Sequence, residues 1–191
     1  MGFRSYKAAV FVHNGTEEME AVITADVLRR AGIEVQICSL EGTEAVICSR
    51  QVKIVPDTNL DAIMARPLGF DVVVLPGGLG GAEAFATSDK MHSMLRRMES
   101  IGSIYVASIC AAPIALMAAG VFFGKRLTSH PCVKTQLEDK YTYCDDEDVC
   151  VDGFLITSRG PGTTFEFALT IVEKLKGVEA KAEIQEQMML K

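Results

Sequence analysis

Ile104-Tyr-Val-Ala-Ser-Ile-Cys110-Ala-Ala-Pro-Ile-Ala-Leu-Met117 is the stretch on which the fold turns. Ile104–Ile109 is a short apolar run, the kind buried on both faces of a parallel sheet. Ala111–Ala119 follows at once as a helical run, so a cysteine occupies the turn between strand and helix. The pattern repeats on either side. Lys7–His13 reads as a strand, Glu17–Ala31 as a helix and Ile33–Leu40 as a second strand. Thr16 is the expected N-cap, with Glu17 and Glu18 at the positive helix end and Arg29 and Arg30 at the negative end; Gly32 is the stop. Ala45–Cys48 and Val52–Val55 form a hairpin, and Asp71–Leu75 is another continuous apolar strand. Ser88 caps a helix to about Ser100, and Arg126–Ser129 and Phe154–Ser158 are short strands. Thr163-x-x-Glu166 reads as a capping box opening a helix, and Val178–Leu190 as a weaker last one. Repeated βα units predict an open α/β sandwich with a mainly parallel sheet and helices on both faces. Ligands in such folds sit at the carboxyl ends of the strands.

Composition bounds the rest. The chain has 191 residues, expected to form a single domain over 1–191. Folding at that length buries roughly 70% of the open-chain surface, enough core to need no disulfide or structural metal. Hydrophobic residues at 49% and charged residues at 23% exclude disorder. A net charge of −6 argues against nucleic acid and anionic membranes as main partners. No apolar run reaches the length of a membrane span. Met1–Tyr6 leads directly into the first strand, leaving no room for a signal peptide. The expected compartment is therefore intracellular, with the six cysteines reduced. No CxxC pair is present, so thioredoxin-type exchange and zinc ribbons have no support.

Chemistry concentrates in four places. Cys110 has the setting of a nucleophile elbow: a tight turn, small neighbours Ala111 and Ala112, and a helix N-terminus expected to lower the thiol pKa. The competing reading is a buried structural cysteine. Leu75-Pro-Gly-Gly-Leu-Gly-Gly81 follows a buried strand, and its amides can serve a phosphate, an oxyanion or only a tight turn. Neither the dinucleotide nor the Walker spacing is met. Glu17 and Glu18 read as solvated first-turn carboxylates, whereas Glu20, one turn in, gains a raised pKa if it faces the strand ends. Of the three histidines, His130 in Ser129-His-Pro131 is the one placed to enter the same cleft, as a general base or as a plain loop residue. Cys144-Asp-Asp-Glu-Asp-Val-Cys150 reads as a solvated acidic turn rather than a metal loop, and no metal site is expected.

Glu17-Glu18-Met19-Glu20, Val74-Leu-Pro-Gly-Gly78, Ala107-Ser-Ile-Cys110-Ala-Ala-Pro113, Thr128-Ser-His-Pro131 and Thr157-Ser-Arg-Gly-Pro-Gly-Thr-Thr-Phe-Glu-Phe-Ala168 occur in that order. Together they resemble the parkinsonism-associated protein deglycase family of the ThiJ/PfpI superfamily, over essentially the whole chain. The resemblance implies a flavodoxin-like fold, a homodimer and cofactor-independent action on reactive dicarbonyls and glycated protein side chains. It makes Cys110 the nucleophile and redox-sensitive thiol, Glu20 its protonated partner and His130 a neighbour. It assigns oxyanion and substrate binding to Gly77, Gly78 and Ala111. It puts Met19, Arg30, Arg50 and the redox-sensitive Cys48 near the dimer interface, with both arginines close to the site. Cytoplasm, nucleus and mitochondrion are the compartments it suggests, and oxidative-stress sensing and chaperone activity are the further roles. Two positions depart from the pattern. Val55 replaces a second interface cysteine, and His13-Asn14 replaces smaller residues at the cleft mouth.

Overall fold

The computed structural model describes residues 5–65, 67 and 69–190. The opening Met1–Arg4, read above as the lead-in to the first strand, lies outside them. The parallel strands are β1 (Lys7–Val12), β2 (Glu34–Ser39), β5 (Thr58–Asn59), β6 (Val72–Leu75), β7 (Tyr105–Ile109) and β11 (Leu155–Ser158). One antiparallel edge strand, β10 (Val149–Asp152), completes a seven-stranded sheet of order β10-β11-β7-β6-β1-β2-β5. Two short pairs flank it: the hairpin β3 (Val46–Ile47) with β4 (Lys53–Ile54), and β8 (Arg126–Leu127) with β9 (Thr142–Tyr143).

Strand alternation divides the core into two layers. Ala8, Val10, Val72, Val74, Ala107 and Ile109 face α1 (Glu18–Arg30), α7 (Thr164–Lys176) and α8 (Val178–Gln187). Ala9, Phe11, Val73, Leu75 and Val106 face α2 (Leu60–Met64), α3 (Leu79–Thr87), α4 (Asp89–Ile101) and α5 (Pro113–Ala119). The short α6 (Lys134–Leu137) joins the second layer through Leu137. Helices on both faces of a mainly parallel sheet are what the repeated βα pattern predicts.

Two cap assignments are corrected. Glu17, not Thr16, caps α1, its carboxylate accepting the Glu20 N–H at 2.8 Å. The Thr16 hydroxyl is already engaged by the His13 N–H at 2.9 Å. Thr163 and Glu166 form no capping box. Thr163 Oγ1 meets Ser158 Oγ at 2.6 Å and accepts the Gly160 N–H, while Glu166 pairs with Lys181.

Candidate active site

The site lies at the carboxyl ends of β1, β6 and β7. Cys110 leaves β7 with φ +64, a left-handed conformation that costs a non-glycine residue about 1–3 kcal/mol. Two bonds hold it there. Its N–H donates to the Ser158 carbonyl at 3.0 Å, and its carbonyl accepts the His130 N–H at 2.9 Å. The turn closes through Ala112 N–H to the Ile109 carbonyl at 3.1 Å, and α5 starts three residues beyond the cysteine. The sulfur therefore stands half-buried at the turn, with the Gly78 and Ala111 amides donating to it.

Glycines bring the carboxyl to the sulfur. A side chain on Gly77 would collide with Cys110 Cβ at 2.6 Å and with Glu20 Oε2 at 3.0 Å. Gly78, at φ +80, packs against the turn before α1, where an added Cβ would meet the Gly15 carbonyl oxygen at 2.3 Å. A Cβ on Gly81 would meet Thr16 Oγ1 at 2.6 Å, and one on Gly80 the Asn14 carbonyl oxygen and Gly15 Cα at 3.3 Å. These glycines serve backbone-to-backbone packing, and the Glu17 N–H to Gly77 carbonyl bond at 2.9 Å clamps the two turns together. Glu20, wholly buried, accepts the Gly77 N–H at 2.6 Å on Oε2. Oε1 has no hydrogen-bond partner among the described residues.

Burial pushes Glu20 up to about 7; the Gly77 bond and the Cys110 contact oppose the rise, and the charge of Glu17 adds to it. The expectation of a raised Glu20 pKa therefore holds. The expectation of a lowered thiol pKa does not. Burial, and next the charge of Glu20, push Cys110 up to about 12. The amides of Gly78 and Ala111 do pull the thiol down, but the enclosure of the turn, which a helix N-terminus alone does not reveal, outweighs them.

The sulfur opens into a cleft of about 530 Å³, lined among others by Glu17, Arg50, Gly78, Ala111, His130 and Pro161. His130 does enter it, but its Nδ1 accepts the Cys132 N–H at 3.2 Å. A neutral ring bonded that way carries its proton on Nε2, which suits donation to a ligand oxygen rather than removal of a proton. Gly77 is likewise no oxyanion donor, because its amide is committed to Glu20. Glu18 is not solvated. It accepts from Ser49 Oγ and the Arg50 N–H, each at 2.8 Å, locking the hairpin loop to α1. Burial works against its charge, but bonds from its own N–H, Ser49, Arg50 and Val52 outweigh that and lower its pKa. Cys48 is buried under that loop, and burial with the charges of Glu18 and Glu17 pushes it up to about 11. Arg30 is paired with Asp26 at 2.8 Å and stands about 15 Å along α1 from Glu20, outside the cleft of its own chain. Met19, on the first turn of α1, is half exposed. The Ser158 carbonyl, Ser49 and Pro161 also belong to the site, and their residue types alone carry no signal of it.

A doubly wound α/β sheet with a left-handed cysteine at a strand-to-helix elbow, beside a buried carboxyl, defines a cysteine-elbow class within the flavodoxin-like proteins. Residues 6–174 match the DJ-1/PfpI family, and the chain belongs to that family. It is 52% identical to Protein dj-1beta of Drosophila melanogaster over 97% of this chain and 98% of that one. The crystal structure of Drosophila melanogaster DJ-1beta superposes with a TM-score of 0.95 at 51% identity, covering 98% of this chain and 100% of that chain. A relative in Caenorhabditis elegans, named Glutathione-independent glyoxalase DJR-1.2, is 39% identical over 85% of this chain and 84% of its own length.

Proposed function

We propose that the protein is a cofactor-independent glyoxalase and deglycase, with Cys110 as nucleophile and Glu20 as proton carrier. The observation that carries this reading is the buried Glu20 carboxyl, one oxygen bonded to Gly77 and the other unpartnered, beside a strained cysteine at the floor of an open cleft. The two groups act on each other: the charge of Glu20 raises Cys110, and the Cys110 side chain lowers Glu20. When the proton sits on Glu20, the like charge that raises the Cys110 pKa is gone, and the free carboxyl O–H needs an acceptor, which the thiolate supplies. The kinship with the relative named a glutathione-independent glyoxalase supports the same chemistry.

The Cys110 thiolate attacks the aldehyde carbon of methylglyoxal, and the C=O electron pair becomes an oxyanion. The Gly78 and Ala111 N–H groups receive it, and proton uptake gives the hemithioacetal. Glu20 removes the proton from that carbon and returns one to the adjacent carbon, which converts the hemithioacetal to a thioester. Water adds to the thioester carbonyl, the C–S bond breaks, and lactate leaves with the thiolate restored. Dicarbonyl and water are consumed, lactate and one proton are formed, and no oxidant is required. His130 donates from Nε2 to a substrate oxygen. Early glycation adducts enter the same route: the thiolate bonds to the hemiaminal carbon, the C–N bond breaks, and the amine leaves with a proton, giving the same hemithioacetal. Cys110→Ser is expected to abolish lactate formation from methylglyoxal while circular dichroism stays that of the parent; lactate at the wild-type rate overturns the mechanism.

The unpartnered Glu20 oxygen also favours a second reading, a redox sensor and chaperone in which Cys110 is oxidised to sulfinate and Glu20 donates to a sulfinate oxygen. Selective sulfinate at Cys110 after mild peroxide, with negligible turnover of any dicarbonyl, selects this reading over the first.

A further inference from the structure

Cys144 and Cys150, on the acidic loop at the antiparallel edge of the sheet, play no part in the chemistry above. Cys144 directly follows β9 and its N–H donates to the Leu127 carbonyl at 2.8 Å; Cys150 lies in β10 opposite Thr157. Their sulfurs are 3.5 Å apart, in contact, and with Glu147 their ligand atoms lie within 4.8 Å of one another. A fourth group completes the cluster. The Arg126 guanidinium pairs with Glu147 and lies against Cys144 and Cys150, whose charges raise its own pKa. That positive charge already satisfies the carboxylate, so a divalent cation would have to displace it. Burial, then the bond to Cys144 and its charge, push Cys150 up to about 12, and the Arg126 charge opposes that rise without overcoming it.

We propose that Cys144 and Cys150 are a peroxide-oxidised dithiol, a modification site separate from the Cys110 cleft. Burial divides the roles: Cys144 is partly exposed and meets the oxidant, whereas Cys150 is fully buried and resolves. The Cys144 thiolate attacks one oxygen of hydrogen peroxide; the S–O bond forms, the O–O bond breaks, and hydroxide leaves and is protonated to water. Cys150, giving up its proton, attacks the Cys144 sulfur of the sulfenic acid. The S–S bond forms, the S–O bond breaks, and hydroxide leaves with that proton as a second water. Two thiols lose two electrons and peroxide gains them. Closing the sulfurs from contact to about 2.05 Å draws Cys144, the freer of the two, and its loop toward β10.

The loop between the two cysteines braces one wall of the cleft. The Asp148 carbonyl accepts Ser158 Oγ at 2.6 Å, the Asp145 carbonyl accepts from Arg159, and the Asp145 carboxylate holds Lys134 at 2.7 Å. Ser158 in turn holds the Cys110 N–H. Drawing the loop ends together strains these bonds, so oxidation reaches residues 158–163. Any effect on turnover rests on the glyoxalase reading; the modification itself does not.

The test uses full-length Cys110→Ser protein, which removes the competing thiol. After dilute hydrogen peroxide, free thiols are alkylated and the peptide spanning 144–150 is weighed. A loss of two hydrogen atoms, reversed by dithiothreitol and absent when Cys144→Ser or Cys150→Ser is added, is expected. Full alkylation of both thiols overturns the proposal, as does over-oxidised Cys144 beside free Cys150. Retention of zinc at one equivalent, with both thiols inert to peroxide, also overturns it, in favour of a metal site. Hydrogen exchange at 158–163 is expected to change on oxidation; unchanged exchange overturns the link to the cleft wall.

Discussion

Glu20 has one oxygen on the Gly77 amide and one without a partner among the described residues, and burial places its pKa near 7. The sign of its effect on stability follows. The folded value lies above the unfolded 4.5, so the native state gains most below pH 4.5 and loses that advantage as pH rises through 7. Glu20→Gln keeps the shape and removes the charge. The variant should become more stable than wild type by an amount that grows by about 2–3 kcal/mol between pH 5 and pH 8. Urea midpoints of both proteins at the two values measure this, and an equal gap at both pH values rejects a raised pKa. The same variant should lose about 10²–10⁴ in kcat on methylglyoxal, because a group that moves a proton between carbons is gone. Its Cys110 thiol should still be alkylated by iodoacetamide, which separates loss of proton transfer from loss of the nucleophile.

At the scale of elements, the two turns that meet above Cys110 depend on glycine. Gly78→Ala forces a Cβ into φ +80 and onto the Gly15 carbonyl oxygen. It should cost about 2 kcal/mol or more in urea unfolding and move the Gly78 amide away from the sulfur, lowering kcat more than it raises KM. An unchanged kcat would show that this amide is not an oxyanion donor. The elbow was legible because continuous apolar runs mark β6 and β7 without help from the rest of the chain. Helix α3 was not: Leu79-Gly-Gly-Ala reads as loop by propensity, and it becomes helix because Gly80 and Gly81 pack on Gly15 and Thr16. The edge strand β10 hid behind Asp145–Asp148, whose charges read as a turn. The Glu20–Cys110 pairing was conditional in the sequence, on Glu20 facing the strand ends, and the family resemblance supplied that condition. The rise in the Cys110 pKa was not visible at all, since enclosure depends on elements far apart in the chain.

Across the whole molecule, exposed apolar surface gathers beside the cleft. Met19 and Val22, one turn apart on α1, are 50% and 48% exposed; Ile47, Val52 and Val55 on the hairpin are 44%, 46% and 69% exposed. The hairpin is tied to the turn before α1 by Gly15 N–H to the Ile47 carbonyl and Ser49 N–H to the Thr16 carbonyl, each at 2.8 Å, so these side chains belong to neighbouring elements. Apolar side chains gathered in this way mark an interaction face more than scattered ones do. A homodimer across this face is the assembly we propose, and Val55, where the resemblance leads one to expect a second interface cysteine, would then contribute packing and not a thiol. Ser49 and Arg50 lead from this hairpin into the cleft, so the assembly and the site share a support. Val22→Asp combined with Val52→Asp should leave the fold intact, because both side chains are half exposed in the single chain, yet bury a charge in the dimer. Sedimentation equilibrium should give twice the chain mass for wild type and a single chain mass for the double variant, with KM for methylglyoxal raised as the Ser49–Arg50 loop loses its backing. A wild-type protein that sediments as one chain at micromolar concentration removes the dimer; a double variant that still sediments as two chains moves the interface to another face.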